Sequence, residues 1–197
     1  MTRKRLRSPG FPSSVRSLPA TSALAAACLA TPACARMPAT AAGDHVGQAA
    51  DLPTAMLRIG EADWEALSVP EPAEGLTPEA VSPWLSGRST VETLTADMGV
   101  YGDGSVRILS LPGHTPGHRG LLVELAEAVD IFIVGDQAHF EENFDAEGVP
   151  VFNSDRADTL ASFARAKDLA GNTGATVIIG HDPAHVGKLP LFPSAAR

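Results

Sequence analysis

The chain has 197 residues, 44% hydrophobic and 19% charged, a composition with room for one globular domain and outside the range of disordered or collagen-like chains. The formal net charge of −8 hides a break: residues 1–43 hold six basic side chains and no acidic one, whereas residues 44–197 hold nine basic and all 23 acidic ones. So acidic a body has no electrostatic attraction for nucleic acid or for an anionic membrane surface.

The basic head opens "MTRKRLR" and runs on through "LPATSALAAACLATPACA". A positive start, a short Ala-rich stretch and the small-x-small end Ala33-Cys34-Ala35 outline a secretory signal, which would make the mature protein periplasmic or secreted. "ALAAAC", ending at Cys28, only approximates a lipoprotein attachment site. The alternative is an Ala/Pro/Ser-rich extension without export function, and then a cytoplasmic protein. Cys28 and Cys34 both lie in this head, so the body has no thiol and any metal chemistry there rests on His and carboxylate. No later stretch approaches the ~20 apolar residues of a membrane span.

From Asp44 onward the text alternates as folded chains do. "TAMLRI" (54–59) predicts a strand, and "GEADWEAL" followed by the Pro-rich run to residue 87 predicts short helical turns and a surface loop. Thr77, with Pro78 and Glu79 behind it, has the form of a helix cap. "MGVYG", the Gly-Asp-Gly turn at 102–104 and "SVRILSL" (105–111) read as a hairpin. "GLLVEL" (120–125) and "DIFIVG" (130–135) are buried-strand runs. Residues 155–170 predict one amphipathic helix, capped by Ser154 or Asp155, stopped at Gly171, and inward-facing at Leu160, Phe163, Ala164 and Leu169. "ATVIIG" (175–180) is a last strand. The order implies sheet layers flanked by helices, a mixed α/β (α+β) chain.

The six histidines carry the chemical information. His114 follows a strand in "SLPGHTPGH", His181 follows one in "VIIGHD", and His45 stands in "GDHVG" beside Asp44. Asp136 ends another strand in "FIVGD". A strand that runs into Gly and then His or Asp sets a polar side chain at a sheet edge, where loops build sites. Imidazole with carboxylate suits a borderline divalent cation such as Zn, Fe or Mn. Taken singly, each residue has a plainer role as a hydrogen-bonded loop residue or turn cap; the joint pattern points to a metal. His185, in "DPAHVGKLP", reads as a surface loop residue, and Tyr101, before a turn, as structural.

Three of these stretches, "SLPGHTPGHRG", "FIVGDQAHF" and "VIIGHDP", resemble the downstream motifs of the metallo-β-lactamase-fold hydrolases, and "GDHVGQAADLP" resembles the tail of their His-x-His-x-Asp-His motif. "GHTPGHRGLLVEL", "GDQAHFEENF" and "VPVFNSDRADTLASFARAKDLA" are most similar to the N-acyl-homoserine lactonase-like branch. The Gly-His-Thr-Pro-Gly-His run is shared with thioester-cleaving glyoxalase II-like enzymes. The resemblance covers residues 44–197 and implies an αββα sandwich, of which this chain supplies mainly the C-terminal portion. It implies two zinc ions, with His114 on the first, Asp136 bridging, and Asp44, His45 and His181 on the second. It further implies a small-molecule lactone substrate, a metal-activated water as nucleophile, and Asp44 as the group handling the proton. His118 would be structural or orient a ligand.

Two departures stand out. The family's two leading histidines fall at positions occupied here by Thr40 and Ala42, neither a credible ligand. The strands that complete the sandwich also exceed what the 43 residues before Asp44 can hold. Either residues 1–43 are not the ancestral text, as the charge break at the lost motif suggests, or the chain is a one-metal or inactive paralogue. The second departure is His139, at the position where some acyl-homoserine lactonases carry a Tyr that contacts the substrate carbonyl. Its imidazole can donate to a developing oxyanion or pack against Phe140. Hydrolysis of thioesters or β-lactams is the enzymatic alternative.

Overall fold

The computed structural model describes residues 36–39, 43–72, 76–191 and 194–195. The signal-like outline at the N-terminus, Thr40 and Ala42 lie outside the described residues.

Two sheets organise the described residues. The first is parallel and takes β1 (Arg36–Ala39), β2 (Met56–Gly60) and β3 (Val91–Leu94) in that order. Between β1 and β2 the chain makes a helical turn, α1 (Gly43–Val46); between β2 and β3 it forms α2 (Glu61–Leu67), the turn Pro78–Val81 and α3 (Ser82–Leu85). The second sheet runs β4 (Met98–Gly99), β5 (Val106–Ser110), β6 (Arg119–Val123), β7 (Ile131–Ile133) and β8 (Thr176–Ile178). It is antiparallel up to β7 and closes with a parallel β7–β8 pair. That last pair needs a crossover, supplied by α4 (Glu141–Asp145) and the long helix α5 (Arg156–Thr173).

Each sheet has its own core. Leu57 and Ile59 of β2 pack with Leu67, Val81 and Trp84, whose indole N–H donates to the Ala55 carbonyl at 2.9 Å. Leu109, Leu122 and Phe132 of the second sheet pack with Phe163 and Ala166 of α5. A small cluster of Leu94, Val100 and Ile108 joins the end of β3 to β5. Two buried arginines reinforce that seam. Arg58 donates from Nε to Glu92 at 2.7 Å and from Nη1 to the Val100 carbonyl at 3.2 Å. Arg119 donates to the carbonyls of Ala96 and Leu94.

Strands β2 and β4 to β8 fall where the alternation places them, and the hairpin turns at the Gly-Asp-Gly run; β1, inside the basic head, and β3 carry no such signal and form by pairing on either side of β2. Helix α5 differs in detail. Asp155 caps it, accepting from Asp158 N–H at 2.8 Å, but it continues through Gly171 and ends at Gly174, whose φ is 70°. Gly171 weakens the helix without stopping it; only Gly174 takes the left-handed conformation that terminates it. Ala166, not Ala164, belongs to its buried face, and Ala164 is exposed. Thr77 precedes a 3-10 turn and makes no side-chain cap.

One close approach fixes the loop after β5 against the first sheet. A Cβ on Gly60 would fall 2.0 Å from the Gly117 carbonyl oxygen, and one on Gly117 would meet Asp63 at 2.7 Å. Gly60 has φ −57° and ψ 135°, open to any residue, so the requirement for glycine is purely steric. Gly60→Ala is expected to lower stability by about 3 kcal/mol in urea unfolding. Gly99→Ala, where nothing lies within 4 Å, serves as the near-neutral control. Equal midpoints for the two variants would contradict the close approach.

Candidate metal centre

The site forms where loops leave the second sheet. After β7 the chain turns at Gly135, with φ 59°, into the short turn Gly135–Gln137 and points Asp136 inward, where it is 2% exposed. His118 sets this turn. Its Nδ1–H donates to the Leu111 carbonyl at 3.0 Å, and its Nε2 accepts from Asp136 N–H at 3.1 Å. A Cβ at position 135 would come 2.9 Å from that same Nε2. The ring is thus held in one neutral tautomer. Burial, followed by the nearby His114, pulls its pKa from the ordinary 6.5 to about 3.

Three imidazoles converge on the Asp136 carboxylate. His45 Nε2, from α1, lies 2.8 Å from Oδ1, and His181 Nε2, from the loop after β8, lies 3.0 Å from the same oxygen. His114 Nε2 approaches the other oxygen, Oδ2, at 3.4 Å. Burial alone would raise the Asp136 pKa, but the hydrogen bond from His45 and the fields of His45, His114 and His181 hold it well below the usual carboxylate range. His139 sits on the same cleft: its ring stacks on His181 at 5.1 Å and 14°, and stands edge-on to Phe152 at 5.2 Å and His114 at 5.5 Å. Two donor groups share Asp136, one with His45 and His181 and one with His114 and His139; within each, the ligand atoms lie within 4.8 Å of one another. Clustered imidazoles around one buried carboxylate are a donor set that fits a borderline divalent cation. Asp44 lies in α1, but its side chain is not among those described.

The His114 loop is clamped at both ends. Gly113, with φ 135°, packs so tightly on Thr159 that a Cβ would reach within 2.4 Å of its Oγ1. The carbonyls of Gly113 and His114 accept from Asp155 and Ser154 N–H, at the start of α5. Asn153 Oδ1 lies 3.3 Å from His114 Nδ1, and Asn153 Nδ2 donates to Thr159 at 3.1 Å. At the far end, buried Asp63 accepts from Gly117 N–H at 2.7 Å and Thr115 Oγ1 at 2.8 Å. Asp63 and Asn153 carry no signal in the sequence. One reads as a polar position on a short helix, the other as a loop residue.

His185 corrects the sequence reading. It is 3% exposed, with Nδ1 accepting from Ile179 N–H at 2.9 Å and Nε2 2.7 Å from Lys188 Nζ. Glu141 and Asp182 gather around it. Both ring nitrogens are engaged, so this group is a hydrogen-bonded tie: Asp182 also accepts from Glu141 N–H at 2.9 Å, fastening α4 to the loop after β8. Tyr101 stands half-exposed in the β4–β5 hairpin.

No protein-family model matches the chain. It is 29% identical over 155 residues to the N-acyl homoserine lactonase AttM of Rhizobium radiobacter, covering 76% of this chain and 59% of that protein. Its structure superposes on that of the Bacillus thuringiensis lactonase AiiA with N-decanoyl-L-homoserine bound at the active site, with a TM-score of 0.68 and 24% identity over 79% of this chain and 58% of that one. A second solved structure is an N-acyl homoserine lactone hydrolase with N-hexanoyl-L-homoserine at its catalytic metal centre. It gives a TM-score of 0.65 and 25% identity over 76% and 56% of the two chains. The fold is therefore that of the metallo-β-lactamase superfamily. The chain is thus similar to N-acyl homoserine lactonases in sequence and fold, and it spans about 59% of the length of the AttM relative. Among the described residues no helix is long and apolar enough to cross a membrane.

The neutral, buried His118 has a consequence for the metal-free chain. Below its ordinary pKa of 6.5 the unfolded state takes up a proton that the folded state refuses until about pH 3. Stability therefore falls as pH drops through that window, by about 1.4 kcal/mol per pH unit once well below 6.5. Urea midpoints at pH 7 and pH 5 should differ less for His118→Gln than for the parent chain. An unchanged pH difference would contradict the assignment.

Proposed function

We propose that this chain is a metal-dependent hydrolase that opens lactone rings of the N-acyl homoserine lactone type. The observation that carries the reading is the convergence of His45, His114 and His181 on the two oxygens of buried Asp136. His45 and His181, with Asp44, would hold one cation; His114 would contribute to a second, with the Asp136 carboxylate shared. Zinc is the cation this donor set favours, with Fe and Mn as alternatives. A cation held there supplies Lewis acidity for the ester carbonyl and acidifies water towards a pKa of ~7.

The chain's own residues do the rest. Asp136 keeps its negative charge in a dry setting because three imidazoles and a backbone N–H bonded to His118 fix it. His118 and Asn153 each fix the orientation of a ligand, a role that second contacts commonly play at metal centres. Asp44 receives the proton as water adds to the carbonyl carbon and returns it to the ring oxygen when the carbon–oxygen bond breaks. The relatives' names and the product found in a related structure support this substrate class.

A second reading has an observation behind it: Thr40 and Ala42 stand where the resemblance places two imidazoles. A one-metal or inactive chain would bind a cation without turnover. The test is hydrolysis of an N-acyl homoserine lactone by the zinc-loaded chain. Turnover should disappear on chelation and return with zinc, and Asp136→Asn should lower kcat/KM by on the order of 10³. Turnover indifferent to chelation or to Asp136→Asn would overturn the proposal. Metal uptake without turnover would favour the inactive reading, and preferential cleavage of a thioester the glyoxalase II-like alternative.

A further inference from the structure

We propose that His139 is a metal ligand, completing with His114 and Asp136 a site rebuilt without the two imidazoles whose positions are taken by Thr40 and Ala42. This rests on the metal-dependent reading above and replaces the oxyanion-donor role suggested by the position of His139 in the sequence.

The geometry divides the carboxylate. Oδ1 faces His45 and His181, and Oδ2 faces His114. On the His114 side a cation would have one imidazole and half a carboxylate, too few donors for a stable site. His139 supplies the missing one: its ligand atom lies within 4.8 Å of those of His114 and Asp136. The result is two sites about one shared carboxylate, each with two imidazoles: His45 and His181, with Asp44, on one side, and His114 and His139 on the other. Three protein donors with a position left open is the usual arrangement of a catalytic zinc.

His139 is also held for that task. Its backbone N–H donates to Asn143 Oδ1 at 3.2 Å, at the start of α4. Its ring lies flat on His181 and is flanked by Phe152, so little rotamer freedom is lost on binding. His114 has the matching support, with Asn153 behind its Nδ1. An imidazole three residues beyond the shared carboxylate thus stands beside His114 within reach of the same cation.

The test is Co2+ binding by the full chain, read as metal equivalents and as hyperfine-shifted imidazole N–H signals in proton NMR. The parent chain should take two equivalents and show four such signals, one for each of His45, His114, His139 and His181. His139→Gln should lose one signal and weaken one equivalent by more than the roughly 100-fold that losing an outer contact costs. His181→Gln should weaken the other equivalent instead. No Co2+ bound by the parent chain would overturn both this inference and the metal-dependent reading. Two equivalents retained by His139→Gln, or a single equivalent sensitive only to His181→Gln, would overturn this inference alone. Far-UV circular dichroism checks that the variants fold. Should His139→Gln unfold, the unmodified chain decides: three signals instead of four overturn the inference.

Discussion

Everything near the site depends on keeping one carboxylate charged out of water. Asp136 is almost wholly buried, and an isolated carboxylate there would protonate instead of staying ionised. Three imidazoles facing its two oxygens reverse that preference, and they arrive from three parts of the chain: α1, the loop after β5 and the loop after β8. The two sheets therefore meet at a point of chemistry as well as at a packed seam. Without the carboxylate the imidazoles would have no common partner; without them the carboxylate would lose its charge.

The precision of that meeting comes from backbone packed where side chains would not fit. Gly60 against Gly117, Gly113 against Thr159, and Gly135 against His118 each leave no room for a Cβ. These contacts tie the His114 loop to the first sheet, to α5 and to the Asp136 turn, so that it cannot shift independently of any of them. Neutral His118 links the loop to the Asp136 turn by hydrogen bonds at both ring nitrogens, donating to the Leu111 carbonyl and accepting from Asp136 N–H. Rigid placement of this kind gives a metal site its selectivity for geometry.

Much of this was legible in the sequence because strand ends announce themselves. "VIIGH" and "FIVGD" join a buried run to a glycine and then a ligand type, and the structure sets His181 and Asp136 at those ends. His45 and His114 were legible from their glycine-rich surroundings. What was hidden depended on distant contacts. Asp63 makes its hydrogen bonds 52 and 54 residues away, and nothing local marks it. His185 looked like a loop residue because its burial comes from the crossover packing α4 over it, which the stretch "DPAHVGKLP" cannot reveal by itself. Gly171 looked like a helix stop, but it stays helical, and only Gly174 takes the left-handed conformation that ends α5. The partners of His139 were invisible too, since its stacking on His181 joins residues 42 positions apart in the chain.

Anomalous diffraction from crystals of the zinc-loaded chain, recorded at the zinc edge, shows whether the cations assemble on Asp136. Two peaks are expected, roughly 3.5–4 Å apart, one on the Oδ1 side beside His45 and His181 and one on the Oδ2 side beside His114. The absence of any peak within bonding distance of Asp136, or a peak only among Glu141, Asp182 and His185, would contradict that assembly.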